Sequence, residues 1–230
     1  MTRVAIPLVA ALLLAGCISK NPYQPVYYYT IDQYIAEDVQ PAENKFDFSL
    51  AVMDTRASSR HGVKMLYRLP NGVIGFREYD RWVENPSELV TQEIIRAFAA
   101  SGAFKCVGGT SSLRWARYSF AGHIMKFDEI REDGVRTAEF SIRFDLNRVE
   151  GGDAVWSEVL SSRQEMAGED AAAFAEALGH AVDSVLTDVV KKVTDAVGRD
   201  LIVVEEEQKK REAERPGRPE DRKTGRGDKQ

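Results

Sequence analysis

The sequence predicts an α/β fold of the α+β sandwich type, with a mixed, largely antiparallel sheet and two main helices packed on one side. Short segments rich in β-branched and aromatic residues indicate roughly seven strands. Two longer segments carry apolar residues at helical spacing, one in the middle of the chain and one near its end. All of these segments lie within residues 27–204, which predicts a single domain.

The first half of this domain is predicted to consist of strands joined by turns. The run Tyr27 to Ile31 is aromatic and β-branched, which is typical of a strand. Residues 48–53 are apolar at nearly every position, so we expect a central strand that is covered on both faces. Residues 70–72, with the sequence Pro-Asn-Gly, separate two further short strands and predict a tight hairpin turn.

The first helix has clear start and stop signals. Asn85 can cap it, Pro86 suits its first position and Glu88 completes a capping box. Gly102 supplies the glycine that commonly follows a helix. The apolar stripe that should pack on the sheet is formed by Val90, Ile94 and Phe98.

The second half predicts a meander followed by the second helix. A strand over residues 118–127 leads into a turn at 128–134, and a hairpin over 139–164 follows. One face of its first strand should be buried: Phe140, Ile142, Phe144 and Leu146. The second helix begins after residues 167–170 and should end near Val197, before Gly198. Residues 205–230 alternate charges with almost no apolar groups, which predicts a disordered tail.

The amino terminus looks like a bacterial lipoprotein signal. An apolar run over residues 4–15 follows Arg3, but as a helix it would cover only about 18 Å and could not cross a membrane. It ends in Leu-Ala-Gly16-Cys17. We expect residues 1–16 to be a signal peptide cleaved between Gly16 and Cys17, the Cys17 thiol to carry lipid, and residues 17–26 to form a tether. A general secretory signal that happens to contain a cysteine is the alternative.

Composition and motifs argue against several function classes. The net charge of −5 includes no basic excess that would favour nucleic acid. The three histidines, His61, His123 and His180, have no companion motif, so the sequence predicts no catalytic, cofactor-binding or metal-binding residues. We expect His123 to be a packed or edge residue and Cys106 a small buried hydrophobe. The acidic patch formed by Asp128, Glu129, Glu132 and Asp133 is interpreted as a solvated turn, and weak binding of a cation is the alternative.

One stretch carries a family resemblance. Tyr79 and Trp82 precede Pro86 and its helix, and Ser-Gly-Ala-Phe at residues 101–104 leads to Val107. This pattern resembles the ABC-type transport auxiliary lipoproteins, which include paraquat-inducible protein C and lipoproteins encoded beside MCE (mammalian cell entry) lipid transporters. Tyr79 and Trp82 also have an ordinary interpretation as residues that close the edge of a core.

The resemblance implies a fold like the amino-terminal domain of TolB and a non-enzymatic role. It implies a lipoprotein held by Cys17 in the inner leaflet of the outer membrane, facing the periplasm, because Ile18 replaces the Asp that marks inner-membrane retention. An MCE-domain protein of an ABC transport system would be the partner, and a homo-oligomeric ring would form the docking platform.

Two other functions stay open at this point. The first is an outer-membrane lipoprotein that regulates a periplasmic cell-wall synthase, although such proteins usually carry a long tether. The second is a lipid-binding carrier or hydrolase, which would need an apolar cavity or a catalytic group of residues.

Overall fold

The computed structural model describes residues 23–32, 41–113 and 115–214. The predicted signal peptide, Gly16 and Cys17 lie outside these residues. Nine strands and two α-helices are described, in the following order: β1 Tyr27–Tyr29, β2 Phe46–Val52, β3 Arg56–Ala57, β4 Lys64–Arg68, β5 Ile74–Trp82, α1 Pro86–Ser101, β6 Phe104–Gly109, β7 Tyr118–Glu132, β8 Val135–Arg148, β9 Ala154–Glu165 and α2 Ala171–Ala213.

The long strand β7 organises the sheet. Along one edge it pairs in parallel with β2, then β3, then β4, and along the other it pairs antiparallel with β8, which pairs with β9. Strand β6 extends the sheet beyond β2, while β5 and then β1 extend it beyond β4. The predicted mixed sheet with two helices is confirmed; its two longest pairings are antiparallel, and the short pairings include parallel ones.

One face of the sheet, here called the inner face, carries both helices and the main core. Helix α1 packs against β2 and β6, and α2 packs against β8 and β9. The alternation predicted for β8 is confirmed, since its four apolar residues are 0% exposed: Phe140, Ile142, Phe144 and Leu146. Each such burial stabilises the fold by roughly 1.5–3 kcal/mol. The opposite face, the outer face, has no helical layer among the described elements.

The predicted turn and cap signals are also confirmed. Between β4 and β5, Asn71 and Gly72 have φ values of 65° and 79°, as the tight turn requires. At the start of α1 the Glu88 carboxylate accepts the Asn85 backbone N–H at 3.4 Å. Gly102 ends that helix in the left-handed conformation.

Helix α2 is longer than predicted. It passes Gly198 and ends at Ala213, so the predictions of an end near Val197 and of disorder from residue 205 are wrong for residues 205–213. Extending a helix that packing has already nucleated costs little, and Glu, Lys, Arg and Gln are good helix formers. An ion pair of 2.7 Å between Glu205 and Lys209, one turn apart, adds to this.

The turn predicted over residues 128–134 is much shorter in the structure. Strand β7 continues to Glu132, and only Asp133 and Gly134 adopt positive φ values, of 51° and 77°. Asp128 and Glu129 therefore lie within a paired strand, opposite Glu139 and Ala138 of β8.

Candidate functional site

Two adjacent carboxylates are fully buried near the end of β7. Asp128 and Glu129 are both 0% exposed, so the interpretation of the acidic patch as a solvated turn is wrong for these two residues, whereas Glu132 and Asp133 are exposed. Neighbouring residues on a strand point to opposite faces, so each carboxylate meets a different set of basic side chains. Those basic partners compensate the charge, which is how both acids can be buried.

Asp128 faces the outer side of the sheet and binds two basic residues. The His61 Nε2 atom lies 2.9 Å from Asp128 Oδ1, and the Arg68 Nε–H donates to Oδ2. Burial raises the pKa of Asp128, but the hydrogen bonds from His61 and Arg68 outweigh it, and the net pKa is below its ordinary value. The carboxylate thus stays charged and fixes Arg68 in place.

Glu129 faces the inner side and gathers three arginines. Its oxygens accept from Arg77 Nε at 2.9 Å, from Arg131 Nε at 2.7 Å and from Arg136 Nη1 at 3.2 Å. Arg77 also donates to the Glu169 carbonyl at 2.8 Å, and Arg136 donates to the Glu169 carboxylate at 2.6 Å. This cluster therefore ties β5, β7 and β8 to the segment that leads into α2.

A second polar cluster fixes α2 at the other end of the sheet. The Tyr118 hydroxyl, at the start of β7, donates to Asp200 at 2.7 Å, and the Arg148 guanidinium donates to the same carboxylate at 3.0 Å. Burial, together with the bond to Asp200, raises the pKa of Tyr118 to about 12. The Glu129 cluster therefore holds the start of α2 near the end of β7, and the Asp200 cluster holds a later part of α2 near the start of β7.

Basic side chains surround a recess on the outer face. The recess has a volume of about 470 Å³ and lies between the β4–β5 turn and the last residues of β7. Arg60, Arg68, Lys126 and Arg163 supply its positive charges, and Leu69, Met125 and Ile130 supply apolar surface. Glu139 contributes a carboxylate that Lys126 and Arg163 share, at 2.9 and 3.1 Å.

The two ends of the sheet are distinct. Because β1 runs parallel to β5, with Tyr27 opposite Asp80, the chain enters β1 from the side of the β4–β5 turn. Helix α2 starts near this turn, passes the start of β7 at Asp200 and continues to Ala213. Its last 13 residues, 201–213, extend for about 20 Å and expose Ile202 and Val203.

The three histidines lie on different elements. His61 is buried against Asp128, while His123 on β7 and His180 on α2 are exposed. The expectation of a packed or edge His123 is wrong, because β7 is central and its outer face is open at that position. Within the described ranges, no group of three or more His, Cys, Asp or Glu side chains could hold a metal ion.

Cys106 is exposed, so its predicted burial is wrong. It lies on β6, which among the described strands pairs only with β2 and so forms an edge of the sheet. Trp82 of the family motif is 1% exposed and packs against Phe127 and Phe174, with ring centroids 5.2 and 5.6 Å apart. The motif tryptophan therefore serves the core.

Sequence reasoning missed the recess and both carboxylate clusters. Arg60 and Arg68 are more than fifty residues from Lys126, and only the register of β4 on β7, with Arg68 opposite Ile130, brings them together. A sequence signal did exist: two adjacent acids inside a long run of strand-forming residues must be either exposed or paired.

The comparisons with known proteins agree with this architecture. Protein XCC0632 from Xanthomonas campestris has a similar structure, with a TM-score of 0.68 at 18% identity, over 76% of this chain and 98% of that chain. A second, uncharacterized protein matches with a TM-score of 0.60 at 10% identity, over 74% of this chain and 99% of that one. These likenesses show the fold.

No curated protein matches the chain. In the part of the chain that the structure describes, no helix has the length and apolar character needed to cross a membrane. The model of the family described as "ABC-type transport auxiliary lipoprotein component" matches residues 29–190, which include both carboxylates of β7 and most of the sheet. The chain belongs to the ABC-type transport auxiliary lipoprotein family.

Proposed function

We propose that this protein is a non-enzymatic lipoprotein of the outer membrane that docks an MCE-domain protein of an ABC-type lipid transport system. Cys17, exposed by cleavage after Gly16, carries the lipid and holds the domain on the inner leaflet, facing the periplasm. The domain acts through protein contacts, as a homo-oligomeric ring that receives the end of the MCE assembly.

The observation that carries this proposal is the family match over residues 29–190, since it covers the whole of β2 to β9 and assigns a transport auxiliary role. The two ends of the sheet support it. The chain arrives at β1 from one end, and α2 leaves past the other, so one end can face the anchoring membrane while the opposite end stays accessible to a partner.

The tether sets how far the domain stands from the membrane. Five residues, 18–22, separate Cys17 from Tyr23, the first described residue, and a fully extended chain over this distance spans about 20 Å. A domain on so short a tether stays close to the lipid surface, which suits a docking platform better than a regulator that must reach across the periplasm.

The test is affinity purification of the lipidated protein from membranes, with mass spectrometry of the proteins that accompany it. We expect an MCE-domain protein to copurify, and to be lost with the Cys17→Ala variant, which is not acylated. Recovery of a cell-wall synthase without any MCE protein would contradict the proposal in favour of the regulator.

Membrane sorting is tested separately. Density-gradient fractionation should place the protein in the outer membrane. The Ile18→Asp variant, which introduces the inner-membrane retention residue, should move to the inner membrane. Native mass spectrometry of the detergent-solubilised protein should show one closed oligomer. A monomer under these conditions would contradict the ring.

A further inference from the structure

We propose that the recess on the outer face binds the phosphate group of an anionic phospholipid headgroup. Nothing in this inference depends on the docking partner proposed above. It stands on three properties of the recess: a surplus of positive charge, a guanidinium that is fixed in advance, and an apolar wall beside the charges.

The first property is the local charge. Lys126 and Arg163 share the single carboxylate of Glu139, at 2.9 and 3.1 Å. The Arg60 side chain makes no hydrogen bond or ion pair with any described residue. Three cations, Arg60, Lys126 and Arg163, thus face two carboxylates, Glu132 and Glu139, in the recess, in a chain whose net charge is −5. A bound anion would be the missing partner.

The second property is the fixed position of Arg68. Its Nε–H donates to Asp128, which is 0% exposed and is held from its other oxygen by His61 at 2.9 Å. The two terminal nitrogens of Arg68 have no other acceptor in the described part of the chain. A guanidinium held through Nε keeps a free pair of donors, and this planar fork matches two oxygens of a phosphate.

The third property is the apolar wall, which distinguishes a lipid from a small anion. Leu69 and Met125 line the recess and are 39% and 45% exposed, and Ile130 lies beside them. A free phosphate ion would leave these side chains in water. The glycerol and upper acyl groups of a phospholipid would cover them, so the lining suits an amphiphilic anion.

The location agrees with this chemistry. The recess borders the β4–β5 turn, and the chain enters β1 from the side of that turn. The placement near lipid rests on the lipid anchor proposed above for Cys17: residues 17–22 span about 20 Å at most, so that anchor would keep Tyr23 within about 20 Å of the lipid surface.

The test measures binding of the mature chain to vesicles. The protein begins at residue 17 and carries Cys17→Ser, so that no acyl chain contributes. Sedimentation is measured with vesicles of equal parts phosphatidylglycerol and phosphatidylcholine, with vesicles of phosphatidylcholine alone, and in competition with soluble glycerol phosphate, at physiological ionic strength. We expect binding to the mixed vesicles and little binding to phosphatidylcholine.

The chain offers a matched pair of charge reversals. Arg163 and Arg143 are 53% and 55% exposed at their side chains, and each pairs with one carboxylate, Glu139 and Asp145 respectively. Only Arg163 lines the recess. Arg163→Glu should weaken binding to the mixed vesicles by roughly tenfold to thirtyfold, while Arg143→Glu changes it by less than about twofold.

Arg60→Glu serves as a second variant, since Arg60 has no ion pair with any described residue whose loss could disturb the fold. It should weaken binding to a similar extent as Arg163→Glu. Equal losses for Arg143→Glu and Arg163→Glu would overturn the proposal, because they would indicate diffuse attraction to a negative surface. Equal binding to both vesicle types, no binding to either, or binding of glycerol phosphate as tight as that of the mixed vesicles would also overturn it.

Discussion

Replacing Asp128 with alanine should be one of the most damaging single changes in this protein. The substitution leaves His61, which is 5% exposed, without the partner of its Nε2 atom, and leaves Arg68, 24% exposed at its side chain, without the acceptor of its Nε–H. Breaking a buried ion pair by removing one partner costs about 3–5 kcal/mol. Because Arg68 can turn toward water, we expect the lower end, about 3 kcal/mol.

The assay is chemical denaturation followed by circular dichroism, with thermal unfolding as a second measurement. For a chain of this size, a loss of 3 kcal/mol lowers the melting temperature by roughly 6–12 °C. Asp145→Ala is the matched control, since Asp145 is 32% exposed and its pair with Arg143 lies on the surface. It should cost no more than about 1 kcal/mol.

The same site predicts a pH dependence. The pKa of Asp128 is lower in the folded protein than its ordinary value of 3.8, so its charge stabilises the fold above about pH 4, and this contribution is lost as pH falls through the folded-state value. The difference in unfolding free energy between wild type and Asp128→Asn should therefore shrink below pH 4. Equal stability of Asp128→Ala and Asp145→Ala at neutral pH would refute the reasoning.

Three further changes test other parts of the fold. Folding raises the pKa of Tyr118 to about 12, so the wild-type protein should lose stability between pH 10 and pH 12, by up to about 1.4 kcal/mol per pH unit. The Tyr118→Phe variant should not show this loss. Parallel curves of unfolding free energy against pH for the two proteins would contradict the hydrogen bond to Asp200. Gly75→Ala places a methyl group against the Tyr67 ring and should cost about 1–3 kcal/mol in denaturant unfolding; a neutral result would mean that the ring moves freely. Gly102→Ala forces alanine to φ 61° at the end of α1 and should cost about 1 kcal/mol, whereas a gain in stability would contradict the cap.

Local signals in the sequence were sufficient for most of the elements. The Asn71-Gly72 turn, the Asn85 and Glu88 cap and the alternation of β8 each depend on a few neighbouring residues, and all three are present in the structure. Such features follow from steric and hydrogen-bonding rules that act within one element, so no knowledge of the rest of the fold was needed.

The errors concern residues whose environment depends on distant parts of the chain. Asp128 looked like a turn residue because nothing near it in sequence shows that His61 and Arg68 will neutralise it. Cys106 looked buried because free cysteines usually are. Nothing near it in the sequence shows that its strand pairs with β2 at the edge of the sheet. Residues 205–213 looked disordered because their helix is nucleated by packing of the preceding segment.

The recess could not be predicted for the same reason. Arg60, Lys126 and Arg163 come from three parts of the chain, and only the register of β7 with β4 and β8, and of β8 with β9, places them around one concave surface. Sequence composition, with its net negative charge, pointed away from a local basic site.

The most direct test of the central claim is a binding measurement between two purified proteins. The lipidated protein is incorporated through Cys17 into vesicles and immobilised, and the MCE-domain protein from the same organism is passed over it. We predict saturable binding that is absent from bare vesicles and from vesicles exposed to the Cys17→Ala variant. No binding to the lipidated protein, together with normal folding by circular dichroism and confirmed acylation by mass spectrometry, would contradict the docking role.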